Sequence, residues 1–289
     1  MAALSAPPTP APTELAAFCR AALDEDAPAG DLTTDLVVPV SARCTAEIRA
    51  KAAGVLSGRA AAEEVFRAAS ERETTGAVEI TWNAEEGACI APGDVLAVVR
   101  GPARTVLLAE RVALNLLSHL SGVATLTSVF VEAASPARVL CTRKTTPGMR
   151  ALERQAVASG GGTLHRASLS DAVLAKDNHV RLAGGAAEAV RRAREGGLPV
   201  EVEVETLEQL EEALAAGADR ILLDNPTPDL VREAVRRVGD AERLEVSGGV
   251  TLETVGAFVQ AGARVLSVGR LTHSAPVLDL SLEIVDGNG

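Results

Sequence analysis

Aromatic side chains are nearly missing from this chain: they make up 2% of its 289 residues, and there is no tyrosine. Proteins that hold single-stranded nucleic acid use aromatic rings as stacking platforms, which this composition cannot supply. A formal net charge of −11 also removes the general basic face that duplex binding needs. Nucleic acid is therefore excluded as a partner. Lysine is scarce as well: of the 28 Lys and Arg residues only Lys51, Lys144 and Lys176 are lysines. Arginine is the default cation here, so a lysine marks a place that wants a compact point charge. The four cysteines (Cys19, Cys44, Cys89, Cys141) are scattered with no C-x-x-C spacing, which excludes a zinc knuckle or a redox pair. They read as reduced thiols of a cytoplasmic protein. No apolar run is read as long enough to span a bilayer, so no membrane contact is expected. The opening "MAALSAPPTPAPTE" has neither a cationic start nor an apolar core and is not a signal peptide. Its Pro, Ala and Thr content reads as a disordered leader over residues 1–14.

What is present is a core of Ala, Val, Leu and Ile, with 47% apolar residues and length enough for one large α/β domain and a smaller partner. Residues 15–24 have helical periodicity. Short β-like runs follow from 43 to 101, with the helix-like "AAAEEVFRAAS" inserted, as in a compact β-rich module. Residues 103–134 form a long apolar-periodic segment that reads as helices leading into a second domain. From residue 138 strand-like runs alternate with helices: "ARVLCT", "AVLAK", "PVEVEVE", "RILLDN", "LEVSGG" and "VLSVG". Pro147 is placed near the first turn of the helix after "ARVLCT". Six such units in a row predict an α/β barrel with parallel strands, closed or nearly so.

The chemistry falls at the ends of these runs: Arg143 and Lys144 after the first, Lys176 at the second, Glu203 and Glu205 in the third. Asp224-Asn225 ends the fourth, Ser247-Gly248-Gly249 the fifth and Gly269 the sixth. In α/β barrels the site is built from several strand ends at once. "EVEVE" (201–205) places three glutamates on one strand face. On an edge strand this would be a solvated acidic face; on a central strand the glutamates point inward and need cations. Lys144, Lys176 and a Mg²⁺ carried by substrate phosphates are the candidates. "SGGVTLE" and "VGRLTHS" each place glycine before a predicted helix N-terminus, an arrangement that binds phosphate. Between Arg138 and Arg181 there are eight Lys/Arg and three Asp/Glu, a local net of +5 in an acidic chain. "HR" (165–166) and "KDNH" (176–179) add histidines, but their spacing fits no structural metal site. Converging cations at strand ends fit a small polyanion.

The segment "TRKTTPGMRALERQAVASGGGTLHRASLSDAVLAKDNHV" (142–180) is very similar to the signature segment of the quinolinate phosphoribosyltransferase family, the carboxylating nicotinate-nucleotide pyrophosphorylases. "GDLTTD", "AERVALNLLSHLSGVAT", "EVEVETLEQL", "ILLDN", "EVSGGV" and "VGRLTHS" are similar in the same order. The resemblance runs from about residue 15 to the end. It implies an N-terminal α/β sandwich over residues 15–113, to which the tail 276–289 returns, and a catalytic α/β barrel over 114–275. It implies that quinolinate and phosphoribosyl pyrophosphate give nicotinate mononucleotide, pyrophosphate and CO2 with Mg²⁺ in a homodimer. Arg143, His165, Arg166 and Lys176 would then surround the quinolinate carboxylates, with Arg111 reaching in from the other subunit. Lys144 would lie near the donor, and Glu203 and Asp224 would face its ribose and the Mg²⁺–pyrophosphate. Ser247, Gly248, Gly249 and Gly269 would hold the 5′-phosphate. Leu164 stands where the family usually has Asn, which removes a polar contact beside His165, and Ser168 stands where it often has Gly. The related molybdenum-locus family shares "TRKTTPG" and "HR" but tends to lack "KDNH", which is intact here. A non-catalytic barrel that binds a phosphorylated ligand would lack one of the strand-end acids, whereas Glu203 and Asp224 are both present.

Overall fold

The computed structural model of the chain describes residues 11–73 and 75–288. In chain order the elements are α1 (Pro12–Asp26), α2 (Leu32–Val37), β1 (Arg43–Ala50), β2 (Gly54–Val55), α3 (Arg59–Arg72), β3 (Glu79–Trp82), β4 (Cys89–Ile90), β5 (Val95–Pro102) and α4 (Ala103–Ala134). There follow β6 (Arg138–Leu140), α5 (Arg150–Ser159), β7 (Val173–Ala175), α6 (Asp177–Ala183), α7 (Ala186–Arg194), β8 (Val200–Val204), α8 (Leu207–Ala215), β9 (Arg220–Asp224) and α9 (Pro228–Val238). The last are β10 (Leu244–Ser247), α10 (Val255–Gln260), β11 (Val265–Ser267), α11 (Arg270–His273) and β12 (Leu280–Asn288). The leader expected over residues 1–14 lies outside the described residues as far as residue 10. From Pro12 it is helix, because proline is tolerated at the first helical position and Glu14 favours the positive end of the helix dipole.

The chain forms two compact units, Met1–Leu126 with Pro147–Gly160 and Ala275–Gly289, and Thr127–Thr146 with Gly161–Ser274. Compactness groups residues 114–126 and 147–160 with the first unit, whereas the family resemblance implies a barrel over 114–275. The first unit holds an antiparallel sheet in the order β12-β1-β5-β3. β1 alternates buried and half-exposed residues, and its buried face is Cys44, Ala46, Ile48 and Ala50. That period of two is what one apolar face of a sheet requires.

Helix α4 corrects one expectation. From Val112 to Val131 it carries no charged residue, so by length and composition it could cross a membrane. Ser118, His119, Ser121, Thr125 and Thr127 interrupt the apolar run and hide that length in the sequence. Those same groups mark it as a core helix. Ser121 Oγ accepts the Ser57 amide at 3.0 Å, Thr125 Oγ1 accepts the Val55 amide at 2.8 Å, and Ser118 O accepts the Leu278 amide at 2.9 Å. Bonds of this kind to neighbouring segments satisfy polar groups in a protein interior.

The second unit holds six parallel strands in the order β6-β11-β10-β9-β8-β7. β6 and β7 are its edges, and a single parallel bridge from Leu140 to Thr163 extends the β6 side. The sheet is therefore an α/β barrel left open between its first and second strands. It curls enough for His165, just past Thr163, to meet side chains of β8 and β10. Pro147 lies in the turn that leads into α5, as its place near the start of that helix predicts, and a short helix, α6, not foreseen in the pattern, begins at Asp177.

Candidate active site

β8 is the structural centre of the site. All five of its residues are buried and it runs between β7 and β9, so the edge-strand reading of "EVEVE" is overturned. Its alternation turns Glu201 and Glu203 to one face. Glu203, near the carboxyl end, accepts Lys176 Nζ at 2.8 Å and the Asp177 amide at 3.1 Å. The Lys176 side chain is half exposed, so this pair sits at the rim of the sheet. Asp224, at the end of β9, has its carboxyl pushed above the ordinary range by burial and then by the charge of Glu203, with a smaller push from Glu205. Lys176 and Asn225 pull the other way. Oxygen-only carboxylate donors crowded at one spot suit a hard divalent cation such as Mg²⁺. Glu203 already has a partner on both oxygens, so Asp224 is the carboxylate better placed to serve such an ion.

The glycine turns lie at the ends of the next strands. Asn225 is the one non-glycine residue with positive φ (48°) among the described residues, and its amide donates to Ser247 O at 2.8 Å. A Cβ on Gly248 would lie 2.2 Å from Asn225 Oδ1, and its φ of 79° is one that side-chain-bearing residues rarely adopt. Glycine is therefore required twice over at this turn. The helix expected directly after "SGG" does not begin until Val255, and α11 after Gly269 has four residues. The anion-binding capacity of these turns consequently resides in their backbone N–H groups rather than in long helix dipoles. Lys144 lies against Gly269, its Cδ 3.1 Å from where a Cβ would be, and His273 Nε2 is 3.2 Å from the same point. Thr272 Oγ1 donates to Lys144 O at 2.8 Å and fixes the loop that carries this lysine.

The arginines come next. Arg143 Nε is buried without a hydrogen-bond partner. Arg166 Nη1 donates to Ala172 O at 3.1 Å. Burial lowers the Arg166 pKa first, and the charge of Arg143 lowers it further, against Glu201 and Asp171. Two guanidiniums close enough to repel, one with an orphaned buried donor, are ready for an anion. His165 points elsewhere. Its Nε2 faces Glu201 Oε2 at 3.5 Å and Glu245 Oε2 at 3.4 Å. Arg220 closes a ring with the same two acids, its Nε 3.5 Å from Glu201 Oε1 and its Nη2 3.6 Å from Glu245 Oε2. Ser267 Oγ donates to the other oxygen of Glu245 at 2.6 Å. Burial alone would lower the His165 pKa, but hydrogen bonds and charge from Glu201 and Glu245 raise it to about 9. At the far side of the ring the Arg166 amide donates to Nδ1 at 2.7 Å, which works against that rise. His165, Glu201 and Glu245 could converge on a metal ion, but Arg220 already supplies positive charge to both carboxylates.

Lys176, Glu203 and Asp224 are thus brought together, as are Lys144 with Gly269, Asp224-Asn225 with Ser247-Gly248, and Arg143 with Arg166. Arg111 belongs to the first unit and is exposed, 4.0 Å from Glu110. His179 does not join the anion-binding cations, because its Nδ1 accepts the Lys176 amide at 2.9 Å and caps α6. Lys51 pairs with Glu283 on the β1–β12 side of the first unit. Sequence reasoning missed Arg220, Glu245 and His273. The first two share strand parity with Asp224 and Ser247, which is the signal that could have found them. Leu164 is buried, and the His165 ring is held at both nitrogens without a polar neighbour at 164. Ser168 does not need the freedom of glycine: its hydroxyl donates to Asp171, which also accepts the Ala167 and Ser168 amides at 2.7 and 3.0 Å.

The chain matches two family models, the quinolinate phosphoribosyl transferase N-terminal domain over residues 31–121 and its C-terminal domain over residues 123–283. It is 41% identical over 269 residues to a probable carboxylating nicotinate-nucleotide pyrophosphorylase of Bacillus subtilis, covering 91% of each chain. It is 38% identical over 300 residues to the chloroplastic carboxylating nicotinate-nucleotide pyrophosphorylase of Arabidopsis thaliana, covering 96% of this chain and 85% of that one. Its fold is similar to the solved nicotinate-nucleotide pyrophosphorylase of Francisella tularensis, with a TM-score of 0.86 and 33% identity over 96% of this chain and 98% of the other. With both halves of the family's architecture matched in order, the chain belongs to the quinolinate phosphoribosyltransferase family.

Proposed function

We propose that the charged carboxyl end of the parallel sheet is where this chain carries out its family's reaction. That reaction is the transfer of the phosphoribosyl group of phosphoribosyl pyrophosphate to quinolinate, with decarboxylation, a step of de novo NAD biosynthesis. The observation that carries the assignment of the site is the convergence of Lys176, Glu203 and Asp224 at neighbouring strand ends, with glycine turns beside them. The pyridine nitrogen of quinolinate attacks the anomeric carbon as the bond to pyrophosphate breaks. Positive charge then grows on the ribose ring, and Glu203 and Asp224 are fixed carboxylates that stabilise it. Lys144 and the amides of Gly248, Gly249 and Gly269 hold the donor's phosphates, with Ser247 in the same turn. Mg²⁺, when bound near Asp224 and Glu203, neutralises charge on the departing pyrophosphate. Arg143, Arg166 and Lys176 take the two carboxylates of quinolinate, arginine through its planar fork and lysine as a point charge. Loss of CO2 leaves an electron pair on the ring carbon beside the now cationic nitrogen, which stabilises it until a proton arrives.

A homodimer in which Arg111 completes a partner's site accords with the exposure of Arg111 and of the apolar Leu32, Leu36, Val37 and Val40 in the first unit. A cytoplasmic location accords with four free cysteines. Purified protein supplied with quinolinate, donor and Mg²⁺ should release nicotinate mononucleotide, pyrophosphate and CO2 in equal amounts. Turnover of nicotinate in place of quinolinate would overturn the reading.

A further inference from the structure

Asn225 is the strained point of the strand-end loops. Among the described residues it alone combines a side chain with a positive φ, 48°, while the turn beside it is built from two glycines at 79° and 64°. Glycine at 225 would adopt this backbone at no steric cost, as Gly248 and Gly249 do, so the side chain is kept there for what it bonds. Asparagine tolerates such a φ better than most residues, and in ordinary turns its side chain bonds backbone close by. Here Nδ2 donates instead to Asp224 Oδ2 at 2.7 Å. The rest of the residue is committed to the next strand end. Its backbone amide donates to Ser247 O at 2.8 Å, and its side-chain amide fills the space that a Cβ on Gly248 would need. Asp224 and Ser247 are themselves register partners of β9 and β10. Beyond the glycines, Thr254 Oγ1 donates to Gly249 O at 2.8 Å and holds the far end of the same turn. A fixed path therefore runs from the Asp224 carboxylate through Asn225 to the glycine turn. The charged neighbours of Asp224 do not do this: Glu203 and Glu205 repel it, and Lys176 is bonded to Glu203.

We propose that Asn225 is a positioning residue for the phosphoribosyl donor, acting through Asp224: its side chain holds that carboxylate at a set place relative to the Ser247–Gly249 turn. The inference rests on the site reading above, in which Asp224 faces the donor's ribose and Mg²⁺–pyrophosphate while the turn holds its 5′-phosphate. One short, stiff sugar phosphate must then reach both anchors at once, so their separation has to be fixed before it arrives. The strained backbone at 225 is tolerated because only a side chain there can tie the two together.

Asn225→Gly tests this, because glycine accepts the φ of 48° and keeps the amide to Ser247 O, so that only the side chain is lost. In steady-state kinetics of the full-length enzyme the KM for phosphoribosyl pyrophosphate should rise about tenfold, with the KM for quinolinate changed less than about twofold. Donor binding is read without turnover in Mg²⁺ and benzene-1,2-dicarboxylate, which has the two carboxylates of quinolinate but no ring nitrogen to attack. Calorimetry should show the donor Kd weakened by about the same factor. A double-mutant cycle separates positioning from general loosening. In an Asp224→Ala background there is no carboxylate to hold, and adding Asn225→Gly should change the donor Kd less than about twofold. A wild-type donor Kd in Asn225→Gly overturns the inference, as do losses that simply add in the double variant. If Asn225→Gly does not fold, a crystal structure of the wild type with donor and the dicarboxylate decides. Asn225 Nδ2 should still lie on Asp224 Oδ2, and an Nδ2 that has left Asp224 for the donor shows direct contact and overturns the inference. A wild-type enzyme with no quinolinate turnover would instead overturn the site reading, and this inference with it.

Discussion

Glu201 and Glu203 lie two residues apart on the same buried face of β8, yet they do different work. Glu203 meets a half-exposed lysine at the rim, with good hydrogen-bond geometry on both oxygens. Glu201 lies among Arg220 and His165 at 3.5 Å from each, with one oxygen unsatisfied. Strand geometry gives both residues the same direction, and only the neighbouring strands differ. A rim acid with a movable partner can exchange that partner for substrate. An interior acid with fixed partners can only hold something in place. Identical side chains in one motif thus divide between chemistry and support according to depth along the strand.

The largest effect should come from the rim. Lys176→Ala removes a substrate cation and the partner of Glu203, and turnover should fall by at least about 100-fold in an assay of released pyrophosphate. The Asp177 amide still donates to Glu203 Oε1, so the loss of stability in denaturant unfolding should be about 1–3 kcal/mol. Near-wild-type turnover would place the chemistry elsewhere.

A smaller effect distinguishes the interior ring. The folded His165 pKa lies at about 9, raised above its unfolded value near 6.5 by Glu201 and Glu245 against the cost of burial. A raised pKa means that the folded state binds the proton more tightly. The associated stability is fully present below pH 6.5 and is lost as pH rises through about 9. The loss is at most about 3 kcal/mol, since a tenfold change in proton affinity is worth roughly 1.4 kcal/mol and the Arg166 amide opposes it. Unfolding midpoints across that window should fall for the wild type and flatten for Glu245→Gln. Identical slopes in the two proteins would show that the glutamates do not set the charge of the ring.

Much of the rim was legible in the sequence because it depends on local order. Lys144, Lys176, Glu203, Asp224 and the glycines of "SGG" each follow a strand-like run, and strand ends in a barrel converge. The interior ring was not legible. Whether Arg220 opposes Glu201, and Leu222 opposes Glu245, is decided by interstrand register, which no single strand carries. Openness was illegible for the same reason, since it depends on whether β7 finds β6. Helix α6 is short and has a lysine as its N-cap residue, so its cap through His179 is visible only in three dimensions. In α4 composition misled, because hydroxyls that look like breaks in an apolar run are the groups that bond it to its surroundings.

The division of labour along β8 is tested most directly by a crystal structure of the enzyme with quinolinate bound. The carboxylates should lie on Arg143, Arg166 and Lys176, with Lys176 drawn off Glu203 while Glu201 still faces Arg220. A structure in which Lys176 stays on Glu203 while Arg220 has left Glu201 for the substrate would refute that division.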